Sequence, residues 1–136
     1  MTGTVSGISH VGLAVPDVDA AAAHWERVLG IAAGPVFENE TQGVRLRRID
    51  LGAVYIELLQ PLQADSPLAG YLQKSPRGGL HHLAFSTANL DDTLAGMASG
   101  GAELLGQPSL NVMGVRMAFL KPSAMQGVLV EVEESG

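Results

Sequence analysis

The sequence predicts an α+β fold built from two copies of one β-α-β-β-β module. Two observations carry the prediction: a His that opens a short apolar run occurs twice, and each run is followed by a helix-like stretch and then by strand-like segments. A third is a Glu set in an apolar strand late in each half. We expect one domain over residues 1–136, with module one over about 6–74 and module two over about 80–134.

The first half opens with the apolar run at residues 10–15 (HVGLAV), which predicts a strand. A helix is predicted over Val18–Leu29, with Asp17 as its N-cap and Gly30 as its stop. Its apolar residues follow helical spacing: Val18, Ala21, Ala22, Trp25 and Leu29. Strands are predicted over Val44–Asp50 and over residues 53–59.

The second half repeats this order from residues 82–87 (HLAFST). At the same offset, Asn89 begins a predicted helix over Leu90–Ser99 that Gly100 and Gly101 end. The predicted strands are residues 115–120 and 128–132, and residues 75–79 join the two halves. A His, a helix start and a Glu therefore recur in one order, which is more than chance similarity produces.

The repeated polar residues predict a metal site made of His10, Glu57, His82 and Glu131. Each lies in an apolar strand, where a carboxylate is costly to bury unless it is paired, hydrogen-bonded or bound to metal. If the halves pack with pseudo-twofold symmetry, one His and one Glu from each half meet at one point. Two imidazoles and two carboxylates balance a divalent ion and leave coordination positions for a substrate.

The remaining His and Glu residues are assigned elsewhere. His81 points to the strand face opposite that of His82 and has no counterpart in the first half. His24 lies on the first helix, at the surface or in packing, and Glu133 and Glu134 are expected on a solvated strand face.

Composition limits the remaining function classes. The net charge of −6 argues against nucleic acid as a partner, because phosphate binding needs clustered Lys and Arg. No apolar run approaches the length of a membrane span and no signal peptide is evident, so we expect a cytoplasmic protein without a membrane partner. The chain has no Cys, which excludes thiolate ligands and leaves nitrogen and oxygen donors for Co, Ni, Mn, Fe or Zn.

With these residues in place, the chain resembles the vicinal oxygen chelate superfamily, which includes glyoxalases, bleomycin-resistance proteins and dioxygenases, and within it the methylmalonyl-CoA epimerases. The segments that carry the likeness are residues 8–10 (ISH), 42–44 (QGV), 56–62 (IELLQPL), 65–69 (DSPLA), 78–82 (GGLHH) and 127–131 (GVLVE). The resemblance implies a curved, incompletely closed mixed β-sheet around a metal site, with the helices outside, and it implies a homodimer.

The resemblance also implies a ligand set and a reaction. His10, Glu57, His82 and Glu131 would bind the ion, most often cobalt. The reaction would be epimerisation of 2-methylmalonyl-CoA or a related 2-substituted acyl-CoA, by abstraction of the α-proton through a metal-chelated enediolate. Glu131 is the expected base, because it is a carboxylate beside the metal.

Three positions depart from the family pattern. Leu46 stands where some members carry a second catalytic Glu, and residues 110–114 (LNVMG) and 119–123 (FLKPS) differ from the usual loops. If Leu46 faces the cavity, Arg48 shares its face and becomes a candidate contact for a substrate carboxylate or phosphate, although a solvated edge is the commoner role of such an Arg. Gln42 is the other candidate substrate contact.

Other members of the superfamily supply the alternatives. A glyoxalase-like isomerase or lyase would use the same ligands on a hemithioacetal, but the turn at residues 123–127 (SAMQG) differs from that usual in glyoxalases. An extradiol-type oxygenase needs more open positions than four protein ligands leave. A non-catalytic small-molecule-binding protein is disfavoured, because such relatives often lose the metal ligands.

Overall fold

The computed structural model describes residues 4–135. In chain order its elements are β1 (Val5–Ala14), α1 (Val18–Leu29), β2 (Phe37–Asn39), β3 (Val44–Asp50), β4 (Tyr55–Pro61), α2 (Pro67–Lys74), β5 (Gly79–Thr87), α3 (Leu90–Ser99), β6 (Leu104–Leu110), β7 (Arg116–Leu120) and β8 (Val130–Glu134), with a 3₁₀ turn over Pro122–Ala124. Within these residues, eight strands and three α-helices confirm the predicted α+β class.

The predicted elements are present with small differences in their bounds. Helices α1 and α3 and strand β3 have the predicted ends, whereas β4 and β8 begin two residues later than predicted. Strands β2 and β6 supply the strand of each half to which no residues had been assigned, and α2 was not predicted. No helix in the described part of the chain is both long and apolar enough to cross a lipid bilayer.

The chain forms two compact units. The terminal unit comprises the chain up to His10 together with the chain from His82 onward, and the central unit comprises Val11–His81. Strands β1 and β5 each contribute to both units. The hydrogen-bonded strand order is β2-β3-β4-β1 in the central unit and β1-β5-β8-β7-β6 in the terminal unit. The two predicted modules, which meet near residues 75–79, stay a prediction.

Helix α1 organises the core of the central unit. The Asp17 carboxylate accepts hydrogen bonds from the backbone N–H groups of Asp19 and Ala20 at 3.0 and 3.1 Å, and Gly30 ends the helix at φ 72°. The helix therefore has the predicted caps, and its apolar face packs on β3 and β4. The buried residues of this core are Val15, Val18, Ala22, Ile49 and Leu58.

Helix α3 plays the same part in the terminal unit. Its N-cap Asn89 accepts a hydrogen bond from the backbone N–H of Asp92 at 3.0 Å. The helix packs against β7 and β8 through a second buried core: Leu90, Leu120, Val130 and Val132.

The alternation of strand side chains then decides where the polar residues point. On β8, Val130 and Val132 pack toward α3, so Glu131 between them faces away from the helix. On β4, Leu58 packs toward α1 and Glu57 faces away from it. Both Glu residues are nevertheless buried. Each carboxylate therefore lies on the strand face that the helix of its unit leaves uncovered, and something else must cover it.

Replacing Gly78 with Ala should destabilise the protein by more than about 2 kcal/mol. Gly78 has φ +89°, and a Cβ there would lie 2.1 Å from the carbonyl oxygen of Ala14. Gly52→Ala is the matched control, because Gly52 has φ +94° but no atom near its Cβ position. This variant should be destabilised by only about 1–2 kcal/mol, through the backbone strain of an Ala at positive φ. Urea unfolding compares the two, and equal stabilities would contradict the steric argument.

Candidate metal centre

All four predicted ligands are buried. The exposed fractions are 1% for His10, 7% for Glu57, 5% for His82 and 5% for Glu131. Imidazole and carboxylate groups removed from water to this degree need polar partners or an ion. The burial argument made from the sequence is therefore confirmed for each residue separately.

Three of the four converge within the terminal unit. The Nε2 atoms of His10 and His82 lie 3.2 Å apart, and Oε1 of Glu131 lies 3.4 Å from the first and 3.2 Å from the second. The two imidazole rings meet edge to face, with centroids 5.3 Å apart and planes at 87°. Strands β1, β5 and β8 each supply one of these side chains, and we call the three residues the triad.

The spacing of the triad fits a divalent ion. Nitrogen and oxygen donors at about 2.0–2.2 Å from such an ion lie about 2.8–3.6 Å from each other, over the range from octahedral to tetrahedral angles. The three donor distances of 3.2–3.4 Å fall within that interval. In addition, two Nε2 lone pairs 3.2 Å apart repel, so this contact requires either a proton or a cation between the rings. Two imidazoles and one carboxylate suit Zn, Co, Ni, Mn or Fe.

The Glu131 carboxyl is ionised within the triad. Burial is the largest single effect on this carboxyl, and it raises the pKa. The hydrogen bonds from His10 and His82, together with the charges of the two rings, outweigh burial and lower the pKa from 4.5 to about 2. Glu131 is thus an anion at neutral pH, the protonation state that a metal ligand needs.

Glu57 lies in the central unit beside a cation. In the register of β3 and β4 it stands opposite Arg48, and the Nε of Arg48 lies 3.6 Å from its Oε2. The guanidinium carbon of Arg48 lies 4.4 Å from the ring centroid of Tyr55. The Nε of Arg48 is buried and has no hydrogen-bond acceptor among residues 4–135. Glu57 is therefore charge-compensated within its own unit, and its role as a metal ligand stays a prediction.

Arg48 also lines a cavity of about 480 Å³ in the central unit. This volume lies within the range of small-molecule sites. The lining is mostly apolar, and its charged members are Arg48 and Asp50. The other lining residues are Ala32, Ala33, Gly34, Pro35, Phe37, Gly52 and Tyr55. A cation at the wall of an apolar cavity can bind an anionic group of a ligand.

Gln42, the other predicted substrate contact, is not close to Arg48. It lies in the turn before β3, where its backbone N–H donates to Oδ1 of Asn39 at 3.1 Å. The part of β3 from Val44 to Arg48, about 13 Å long, separates Arg48 from that turn. An extended ligand can reach both places.

The prediction that Glu133 lies on a solvated strand face is wrong. The Glu133 side chain is only 13% exposed, and it accepts hydrogen bonds from the Ser9 hydroxyl and, at 3.3 Å, from the side-chain nitrogen of Asn111. Glu134 accepts a hydrogen bond from the backbone N–H of Leu90 at 2.8 Å and thereby caps α3. Both carboxylates therefore have structural partners, but the Glu134 side chain is still 31% exposed.

The other two histidines lie outside the triad. The His81 ring meets that of Tyr71 edge to face, with centroids 5.4 Å apart, in the central unit. His24 is exposed on α1, one of the two places expected for it. Their exclusion from the predicted ligands is consistent with these positions.

The chain is similar to known proteins over nearly its whole length. The sequence profile described as the Glyoxalase/Bleomycin resistance protein/Dioxygenase superfamily matches residues 9–132. The ethylmalonyl-CoA/methylmalonyl-CoA epimerase of Cereibacter sphaeroides is 36% identical over 132 residues, which cover 96% of this chain and 98% of the relative.

Solved structures agree with the sequence comparison. A variant of Streptomyces coelicolor methylmalonyl-CoA epimerase in complex with 2-nitronate-propionyl-CoA matches with a TM-score of 0.91 at 34% identity, over 98% of this chain and 99% of the other. The methylmalonyl-CoA epimerase of Mycobacterium tuberculosis matches with a TM-score of 0.91 at 30% identity, over 100% of this chain and 92% of the other. These matches confirm the fold predicted from the sequence.

Replacing His82 with Ala should lower the affinity of the metal-stripped protein for Co²⁺ by more than about 100-fold, since losing only a hydrogen bond to a ligand typically costs 10–100-fold. His81→Ala is the matched control, because the neighbouring ring contacts Tyr71 instead of the triad. Isothermal titration calorimetry measures both variants. Equal Co²⁺ affinities for the two variants would contradict the assignment of the triad as a metal centre.

Proposed function

The chain belongs to the glyoxalase/bleomycin resistance protein/dioxygenase superfamily, and we propose that it is a metal-dependent epimerase of 2-methylmalonyl-CoA or a related 2-substituted acyl-CoA. The observation that carries the proposal is the convergence of the buried side chains of His10, His82 and Glu131 in the terminal unit. The named epimerases that match nearly the whole chain support it further.

We propose Glu57 as the fourth ligand beside the triad. Two features support it: its carboxylate is buried, and it holds in the first half of the repeat the place that Glu131 holds in the second. Cobalt as the native ion, a homodimeric assembly and a cytoplasmic location are proposals that come from the sequence analysis.

The substrate explains why such ligands are useful. The α-carbon of a 2-methylmalonyl thioester lies between a thioester carbonyl and a carboxylate, so its proton is acidified. When bound, a divalent ion supplies Lewis-acid stabilisation of the negative charge that develops on the substrate oxygens. The buried setting strengthens that stabilisation, because little water screens it.

Glu131 is the proposed base. Its ionised carboxylate accepts the α-proton, and the electrons of the broken C–H bond move into the adjacent carbonyl group. Return of a proton to the opposite face of the planar carbon completes the inversion. Leu46 does not supply this second proton, because its side chain is aliphatic and is only 3% exposed.

Arg48 is the proposed contact for an anionic group of the substrate. Its Nε lacks an acceptor within the described residues and the side chain lies at the wall of the cavity, so a carboxylate or phosphate there would complete its hydrogen bonds. Gln42 is proposed to contact a distant part of an extended acyl-CoA.

The reaction is tested by solvent exchange. In D₂O, the Co²⁺-loaded protein should remove the α-proton signal of 2-methylmalonyl-CoA from the ¹H NMR spectrum, and Glu131→Gln should slow this exchange by at least about 100-fold. Metal-stripped protein is the control. Exchange no faster than this control would overturn the proposal, and turnover of methylglyoxal with a thiol would favour a glyoxalase-like isomerase instead.

Replacing Arg48 with Met should raise KM for the acyl-CoA by about 10- to 150-fold, because a hydrogen bond to a charged group contributes about 1.5–3 kcal/mol. Arg45→Met is the matched control: Arg45 lies on the same strand, faces the other way and pairs with Asp19 at 3.0 Å. Because Arg48 also contacts Glu57, Co²⁺ affinity is measured in parallel. Equal KM values for the two variants would argue against Arg48 as a substrate contact.

A further inference from the structure

A chain of polar contacts, buried at Ser9 and partly buried at Glu133 and Asn111, lies behind His10 in the terminal unit. The Ser9 hydroxyl lies 3.0 Å from Nδ1 of His10 and also hydrogen-bonds Oε1 of Glu133. The same Oε1 lies 3.9 Å from Nδ1 of His10. Asn111 contacts the other oxygen of Glu133, with its Nδ2 at 3.3 Å. The chain of contacts ends at Nδ1 of His10, the ring nitrogen that does not face His82 and Glu131.

The orientation of the Asn111 amide is fixed by its own backbone partners. Its Oδ1 accepts hydrogen bonds from the backbone N–H groups of Met113 at 2.9 Å and Val115 at 3.0 Å. The oxygen therefore faces these donors, and the NH₂ group faces Glu133. Glu133 in turn must act as an acceptor toward Asn111.

Counting hydrogens then assigns the direction of each bond. A Ser hydroxyl carries one hydrogen, and a carboxylate carries none, so the hydrogen between Ser9 and Glu133 comes from Ser9. The Ser9 oxygen has only lone pairs left for His10, so the ring must donate through Nδ1–H. With Nδ1–H turned toward Ser9, the nitrogen of His10 left to bind an ion is Nε2, which lies 3.2–3.4 Å from His82 and Glu131.

We propose that Glu133, acting through Ser9, is a positioning residue that holds His10 in the Nδ1–H tautomer and so presents its Nε2 lone pair to a divalent ion. The inference deepens the proposed metal centre and rests on it for its use, but the tautomer itself can be observed without metal or substrate. Hydrogen bonds to the far nitrogen of a ligating His orient the ring and raise its affinity for metal.

The Ser9 and Glu133 side chains that contact His10 are not repeated around His82. The offset that relates His10 to His82 places His81 at the position equivalent to Ser9. The offset that relates Glu57 to Glu131 places Leu59 at the position equivalent to Glu133. The two ligand histidines are thus equivalent by sequence, whereas the group that sets the tautomer of His10 has no equivalent at the matching position for His82.

The wild-type test is long-range ¹H–¹⁵N NMR of metal-free protein with ¹⁵N-labelled His. We expect His10 to show a protonated Nδ1. An unprotonated Nδ1 would overturn the proposal, whatever the enzymatic activity of the protein, so this outcome is separate from a failure of the epimerase test.

Variants then test the chain of contacts. Ser9→Ala should shift His10 toward the other tautomer and lower Co²⁺ affinity by about 10–100-fold, and Ser9→Thr, which keeps the hydroxyl, should restore both. Ser6→Ala is the matched control, because the Ser6 hydroxyl on the same strand donates instead to the carbonyl oxygen of Ser86 at 3.2 Å. Unchanged tautomer and affinity in folded Ser9→Ala protein would contradict the positioning role.

Discussion

The structure depends on how an anionic carboxylate is kept inside the terminal unit. Residues 130, 131 and 132 of β8 are all buried, so the strand is covered on both faces, and Glu131 is only 5% exposed. Two apolar neighbours secure the strand against α3, whereas the carboxylate itself is compensated by the imidazoles of His10 and His82. The strand alternation that builds the core thereby also forces a charge into a place where histidines, or an ion that they help to hold, must balance it.

Much of the fold could be predicted because its signals repeat. Asp17 and Asn89 cap their helices as predicted, since a short polar side chain before an apolar helical stripe has few other uses. Strand β6 gave no such signal: its register against β7 shifts between Leu105 and Ser109, which breaks the two-residue alternation on which strand prediction relies. Helix α2 did leave a signal, since Ser66 followed by a Pro is a helix start, but the segment is only eight residues long.

The site was predictable only where it obeys the repeat. Glu133 was assigned to solvent, although alternation alone places it on the same face as Glu131, so a stricter use of the strand period would have found it. The pairing of Arg48 with Glu57 is different in kind. It depends on the register of β3 against β4, which the turn between them sets, and no single residue encodes it.

The contrast between symmetric ligands and asymmetric surroundings bears on the chemistry. A 2-substituted malonyl thioester offers two unlike groups, a thioester carbonyl and a carboxylate, and a site that treated them alike would bind the substrate in two orientations. The proposed ligands, which are repeated between the two halves, would treat both groups alike. Discrimination must come from residues that the repeat does not duplicate. Ser9 and Glu133 set the state of one His, and Arg48 places a cation in one unit beside an apolar cavity. The ligands are repeated in both halves, whereas their neighbours differ between the halves. This difference is what lets a duplicated module act on an unsymmetrical substrate.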